Sequence, residues 1–295
     1  MSFHCGIIAL AGRPNAGKST FLNQILGEKV SIVSDKPQTT RNRILGVYHG
    51  EQVQVGFLDL PGVHKPKHQM NRLMMRTVNQ SLDDADLVFH FLDVSTNIGA
   101  GDRFVKDLVA RFSVPVILVA NKIDLVNKAK VIPVLDQIYQ EFQPRELVPI
   151  SALQGDNVTQ LMTVATKYLP EGEPLFGDDE LTDQPLRFMV QELIREKVLH
   201  HTRDELPHVT AVTLTHWEET PEFLELEATI SVERASQRRI LLGAGGQMIS
   251  KIRTGAQRSL RKQLAKKVHL EIFVKVDEDW RNKSRDLLNA QRLIN

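Results

Sequence analysis

Gly12-Arg13-Pro14-Asn15-Ala16-Gly17-Lys18-Ser19 is the stretch that decides the fold of the first half of the chain. It fills every fixed position of the phosphate-binding loop pattern. It also follows an apolar run, Ile7 to Ala11, and precedes a helical pattern from Thr20 to Leu26, the context this motif requires. Glycines at its two fixed positions let backbone N–H groups converge on phosphate oxygens with no Cβ in the way. A helix beginning near Lys18 adds its positive dipole end. Lys18 would pair with the β- and γ-phosphates and Ser19 would offer a hydroxyl to Mg²⁺, with Gly12, Asn15, Ala16, Gly17 and Thr20 completing the phosphate-facing set. The motif specifies a nucleotide but not which one.

Further short apolar runs, Val53 to Leu58, Leu87 to Leu92, Val114 to Ala120 and Leu147 to Ile150, suit buried strands of a mostly parallel sheet. Helical patterns lie among them at Met70 to Leu82, Gly101 to Phe112 and Val131 to Phe142. Strands alternating with helices predict a doubly wound α/β domain. Residues 169–185, with three prolines and two glycines, read as a linker. Beyond it Leu186, Val190, Ile194 and Val198 mark an amphipathic helix. Val209 to His216, Leu224 to Val232 and Val268 to Val276 alternate as half-buried strands, and Ile249, Ile252, Ala256, Leu260 and Leu264 line one face of a second long helix. A second, smaller α+β domain is expected there. With 295 residues, 42% hydrophobic and 25% charged, two cores are affordable, and the one cysteine, Cys5, excludes a disulfide framework. The N-terminus lacks signal-peptide features, so a cytoplasmic setting is expected.

The base is selected elsewhere. Asn121-Lys122-Ile123-Asp124 directly follows the run ending at Ala120, at a strand's carboxyl end where ligands bind in such sheets. The Asp124 carboxylate can accept from guanine N1–H and the 2-amino group, whereas adenine would leave it unpaired. Ser151-Ala152 follows the next strand, where a backbone N–H could approach guanine O6. Asp59-Leu60-Pro61-Gly62 ends the run from Val53, placing Asp59 to hold Mg²⁺ through water and the Gly62 N–H to meet the γ-phosphate. Thr39-Thr40-Arg41 lies in a polar loop. There Thr40 would complete the Mg²⁺ shell only when γ-phosphate is present, unless the loop is a plain exposed turn. Lys18, Thr40 and Gly62 are the catalytic set this reading gives.

From Arg234 to Lys275 the chain carries eleven lysines or arginines against one acid, Glu271. The whole chain totals only +1, so this block at +10 leaves −9 for the rest. Such a block is the electrostatic footprint of a nucleic-acid surface, though a solvated helix face can also be basic. Gly243-Ala244-Gly245-Gly246 stands before the long helix in the place of a G-x-x-G loop, where backbone passes close to a nucleotide strand. Ala244 and Gly245 carry no charge, so phosphate affinity falls to Arg238, Arg239, Lys251 and Arg253. Ile240, Leu241, Ile249 and Ile252 are either cleft or core.

The five nucleotide elements in this order, with Gln-Thr-Thr-Arg at 38–41, resemble the Era family of GTPases. The likeness continues through Phe188 to Lys197, Leu206-Pro207-His208 and Gly243 to Gly246, and covers nearly the whole chain. Leu60 departs from it, since the family usually has threonine there. The resemblance implies a Ras-like P-loop GTPase domain at 1–172, a linker at 173–185, a type II KH domain at 186–281 and a tail at 282–295. It further implies GTP and GDP as ligands, binding to the 3′ end of small-subunit (16S) ribosomal RNA and a role in 30S subunit assembly. Loose contact with the inner face of the cell membrane and a monomeric state complete the expectation. Val63 stands where Ras-like enzymes place a water-positioning glutamine, so weak intrinsic turnover is expected. Asn15 is the position that helps hold K⁺ in some relatives; a turn-stabilising role is the other reading. Two rivals stay open: an RNA-binding scaffold with incidental hydrolysis, and an ATP-dependent enzyme, which Asn121 and Asp124 oppose.

Overall fold

The protein is described by a computed structural model covering residues 2–64, 69–202, 206–278 and 280. The expected tail at 282–295 therefore lies outside the described residues. The chain divides into two compact units. Among the described residues the first holds 2–33, 40–64 and 71–183; the second holds 184–280 together with 34–39 and 69–70.

The first unit is a six-stranded sheet. Its strands are β1 (His4–Gly12), β2 (Ile44–His49), β3 (Val53–Asp59), β4 (Leu87–Asp93), β5 (Val116–Asn121) and β6 (Glu146–Ile150), in the spatial order β2-β3-β1-β4-β5-β6. All neighbours pair in parallel except β2 and β3. The helices are α1 (Lys18–Leu26), α2 (Gln69–Asp83), α3 (Ala100–Val109), α4 (Lys128–Phe142) and α5 (Val158–Thr166). The parallel strands are buried almost throughout, which is why they read as continuous apolar runs. By contrast β2 gives no such signal, because Gly46, Tyr48 and His49 interrupt its apolar residues. It pairs antiparallel at the sheet edge and adds the strand that hydrophobic runs alone do not reveal.

Under the phosphate loop sits an aromatic cluster. Phe21 of α1 meets Phe57, Phe89 and Phe91 with ring centroids 5.5, 5.8 and 5.4 Å apart. All four rings are fully buried, each contributing about 2–3 kcal/mol by removal from water. This cluster ties α1 to β3 and β4 and so gives the loop between β1 and α1 a rigid base.

Residues 170–183, which overlap the expected linker at 173–185, run along the first unit. Cys5 N donates to Pro170 O and Gly172 N to Phe3 O. The Gln54 side chain accepts from the amides of Leu175 (2.7 Å) and Phe176 (2.9 Å) and donates to Phe176 O (2.9 Å). Farther on, Val47 N donates to Leu181 O and the Thr182 hydroxyl to Leu45 O. A strap of chain is thereby fastened to β3 and to the open edge of β2.

The second unit contains α6 (Leu186–His201), α7 (Leu206–Val209), β7 (Ala211–Glu219), β8 (Phe223–Val232), α8 (Ala235–Leu242), α9 (Gln247–Leu264) and β9 (Lys267–Val276). Its sheet runs β7-β8-β9, antiparallel then parallel. Alternate residues of β8, Leu224, Leu226, Ala228, Ile230 and Val232, are fully buried. With Val190 and Ile194 of α6 and Ala256 and Leu260 of α9 they form the core that the alternation predicts. Among the described residues no helix is long and apolar enough to cross a membrane.

Candidate nucleotide site and nucleic-acid interface

The phosphate loop leaves the end of β1 at Gly12 and enters α1 at Lys18. Asn15 and Gly17 both adopt positive φ, 63° and 97°, which curls the backbone. Asn15 thus makes a left-handed turn, the geometry its turn-stabilising reading needs. Gly17 is required twice over, because a Cβ there would run into the Asn121 amide. Lys18 is buried beneath the loop, its Nζ donating to the carbonyls of Arg13 (3.2 Å) and Gly12 (3.4 Å). Burial pushes its ammonium below the ordinary lysine value, and the Asp59 carboxylate pulls it back in part. Ala16 is buried, while Thr20 is half-buried on α1.

Three oxygen-bearing side chains from separate segments converge beside Lys18. Ser19 Oγ donates to Asp59 Oδ2 at 2.5 Å and lies 3.0 Å from Thr40 Oγ1. Ser31 donates to the same Asp59 oxygen at 2.8 Å. Asp59 is wholly buried, and its Oδ1 has no hydrogen-bond partner. Burial raises its carboxyl above the usual range; the Lys18 charge and the hydroxyls of Ser19, Ser31 and Thr40 oppose that rise. A buried carboxylate oxygen without a partner, flanked by hydroxyls, fits a hard, oxygen-seeking dication. Ser31 was not foreseen. Its loop is fastened by Asn23, whose side chain accepts from the Val30 and Ser31 amides and donates to Ser31 O, and no sequence pattern signals that link.

Gly62 follows β3 and lies against Pro14, where a Cβ would come within 2.7 Å of the proline. The next residue, Val63, donates its amide to Gly12 O at 3.0 Å and buries its side chain in the core. Asp59, Gly62 and Val63 are thereby locked to the phosphate loop. Thr40 is buried in the first unit, whereas Thr39 belongs to the second, where its carbonyl accepts from Arg195.

The base-reading elements are joined through Asn121. This residue is 1% exposed, donates to Ala16 O at 2.8 Å and accepts from Ala152 N at 2.9 Å. One side chain thus spans phosphate loop, base motif and the Ser151-Ala152 pair. The Ala152 amide, one of the two backbone donors considered for guanine O6, is engaged with Asn121 in this structure, because the strand register sets Asn121 beside Ile150. Ser151 is buried and its hydroxyl accepts from the Gln154 amide, holding that turn. Lys122 has positive φ, 72°, and its ammonium meets Asp93 at 2.6 Å. Asp124 is exposed, as a group meant to meet an incoming base must be.

In the second unit Gly243, Ala244, Gly245 and Gly246 form a tight turn between α8 and α9. The three glycines have φ of 71°, 56° and 79°. A Cβ on Gly245 or Gly246 would meet open space, so room within the protein does not demand glycine there. The positive φ favours glycine there, and the bare backbone leaves the turn open to a ligand strand. Arg238, Arg239 and Lys251 are exposed and Arg253 half-buried, and Arg238 Nε also donates to Val274 O. Of the four cleft candidates, Leu241 and Ile252 are core at 0% exposure, Ile249 is half-buried and Ile240 is 55% exposed.

Comparison with known proteins places this geometry. Residues 7–122 match the family described as 50S ribosome-binding GTPase, and residues 205–281 match the KH domain. GTPase Era of Staphylococcus haemolyticus is 43% identical over 279 residues, covering 94% of this chain and 93% of that protein. A crystal structure of Era with MgGDPNP and nucleotides 1506–1542 of 16S ribosomal RNA superposes with a TM-score of 0.94 at 38% identity, over 99% of both chains. An Aquifex aeolicus Era variant bound to GDP and aluminium fluoride matches with a TM-score of 0.93, again at 38% identity and 99% coverage of both. A Ras-like GTPase unit with a mostly parallel sheet, followed by a KH unit, is the shared architecture, and the chain belongs to the Era family of GTPases.

Proposed function

We propose that this protein binds and slowly hydrolyses GTP and, through its KH unit, binds the 3′ end of small-subunit ribosomal RNA to assist assembly of the 30S subunit. The observation that carries the reading is the convergence of Lys18, Ser19, Thr40 and Asp59 on one point, bridged by Asn121 to the base-reading motif. Ser19, Thr40 and Asp59 would hold Mg²⁺, which when bound neutralises charge on the phosphate oxygens. Lys18 supplies a fixed cation that needs no rearrangement during reaction. The Gly62 amide would meet the γ-phosphate, and Asp124 selects guanine. Val63 is core, so no side chain of that residue orients the attacking water, and slow turnover follows. K⁺ beside Asn15 would offset part of the phosphate charge. Identical GTP turnover in KCl and NaCl at fixed ionic strength removes that ion from the account. A cytoplasmic, monomeric protein in loose contact with the inner membrane face is the setting that family resemblance supports.

Crosslinking bound RNA and sequencing it, with GTP and then GDP, tests the whole reading. The expected product is the 3′ end of 16S ribosomal RNA, richer with GTP. Recovery of no small-subunit RNA overturns the cellular role while leaving the nucleotide site intact. If turnover stays negligible with 30S subunits present, the scaffold reading replaces the enzymatic one.

A further inference from the structure

Asp93, the last residue of β4, touches the base motif at Lys122 and reaches the phosphate loop through Thr96. Its Oδ2 takes the Lys122 ammonium at 2.6 Å. Its Oδ1 accepts from Ser95 N at 3.0 Å and Ser95 Oγ at 2.5 Å, folding the loop that follows. Thr96 Oγ1 donates to the Asp93 carbonyl at 3.2 Å and accepts from Arg13 Nη2 at 3.1 Å. Arg13 is a member of the phosphate loop. Its Nε lies 2.7 Å from Asp102 Oδ1, and Asp102, 2% exposed, accepts from Gly99 N at 2.8 Å. Gly101 leaves space for the arginine stem, since a Cβ there would fall 2.7 Å from Arg13 Cδ. Beneath this loop lies a cavity of about 90 Å³, walled on the far side by Val134 and Ile138. Val94 and Ile98 still pack on the cluster around Ile138, so apolar contacts hold that side of the loop while the polar ones orient Ser95 and Thr96.

We propose that Asp93 is a positioning residue for guanine-nucleotide binding, fixing the path of the Lys122 stem through one oxygen and steadying the phosphate loop at Arg13 through the turn it folds. The stem of a lysine whose ammonium is held offers methylene surface to a flat base, and a wandering stem offers none. Asp93 lies in neither the hydroxyl-carboxylate cluster at Asp59 nor the Thr40 segment. Its effect must therefore be the same for nucleoside di- and triphosphates and absent from the chemical step. The proposal rests on the guanine reading of the site, which nucleotide binding by the unaltered chain checks separately.

The test compares Asp93→Asn, Lys122→Met and the double variant by fluorescent GTP and GDP titration, steady-state turnover and thermal melting. Asparagine still accepts from the Ser95 amide, so the turn survives and only the charge on Lys122 is lost. With Lys122 28% and Asp93 13% exposed, solvent screens the pair in part. Asp93→Asn should then weaken GTP and GDP alike by roughly fivefold to tenfold. KM rises by the same factor, kcat and melting temperature stay at their unaltered values, and the double variant binds no more weakly than Lys122→Met. Thr96→Val cuts only the arm to Arg13 and should weaken both nucleotides by about twofold. Unchanged affinity in Asp93→Asn overturns the proposal. So does a loss that adds in full to that of Lys122→Met, or one tracked by a fall in melting temperature. Unchanged affinity in Thr96→Val overturns the phosphate-loop arm.

Discussion

The nucleotide site and the RNA-facing turn solve opposite physical problems. In the first, Lys18, Thr40, Asp59 and Asn121 are all buried; Lys18 holds its own loop, and the other three hold distant segments of the chain. Burying such groups costs stability unless partners are in place, so the site is a set of mutual commitments among distant segments. In the second, Arg239, Ala244, Gly245 and Lys251 are exposed, and two of the glycines look out on open space. Little in the protein depends on them. A compact ligand with fixed donors and charges is met by a fixed cage; a long polyanion is met by bare backbone and long charged side chains. The expected consequence is that damage to the first region changes selectivity and folding together, and damage to the second changes affinity alone.

The largest effect that can break this contrast is at the base. Asp124→Asn should lower GTP affinity by roughly a hundredfold or more and move preference to xanthosine triphosphate, because the remaining amide presents a donor where guanine also donates. Competition between the two nucleotides measures it, and a variant still preferring GTP shows that the base is read elsewhere. Next comes the turn. Gly245 has φ of 56° with nothing near its missing Cβ, and aspartate tolerates that conformation. Gly245→Asp should cut affinity for a 16S 3′-end oligonucleotide by roughly tenfold, with GTP affinity and melting temperature unchanged. A lowered melting temperature would mean the turn is part of the fold after all.

The smallest effect sharpens the other side, since a buried polar group can lie in the first unit without serving the site. His90 is 2% exposed on β4, its Nε2 has no hydrogen-bond partner, and its ring meets Phe142 edge-on at 5.8 Å. Burial, and then the Lys106 charge, push its pKa down to about 3. The folded imidazole therefore stays neutral while the unfolded one takes a proton below about pH 6.5. Stability from this residue is fully present above that value and is lost as pH falls toward 3. Unfolding free energies of His90→Leu from urea titration should decline less over that window than those of the unaltered chain, by about 1.4 kcal/mol per pH unit at most. Superimposable pH profiles would remove His90 as the cause.

The same contrast explains what the sequence made legible. The phosphate loop, Asp59 to Gly62 and Asn121 to Asp124 are short, their residues are dictated by the ligand, and each sits at a strand end that an apolar run marks. The KH unit was readable from the order of its elements and from β8, whose alternation shows half-burial directly. Ser31 was invisible because its partner is Asp59, 28 residues away, and Asn23 sets its loop through backbone amides that any sequence could offer. Asp93 and Asp102 were hidden for the same reason. Acidic residues at a strand end or in a helix's first turn are common, and only the fold brings them to Lys122 and Arg13. The strap at 170–183 reads as a linker because its attachments are mostly backbone groups, met by Gln54 from a strand far earlier in the chain and joined by the Thr182 hydroxyl.

That strap also bears on how the protein behaves among other chains. An edge strand such as β2 presents a row of unmatched amides and carbonyls, a template on which a second chain can add itself. Leu181 and Thr182 occupy Val47 N and Leu45 O on that row, so the protein caps its own edge with residues that look dispensable by composition. A fragment ending at 172 would uncover the row and should self-associate, whereas one ending at 183 should stay dispersed. Trimming what resembles spare chain would convert a well-behaved sheet into a sticky one.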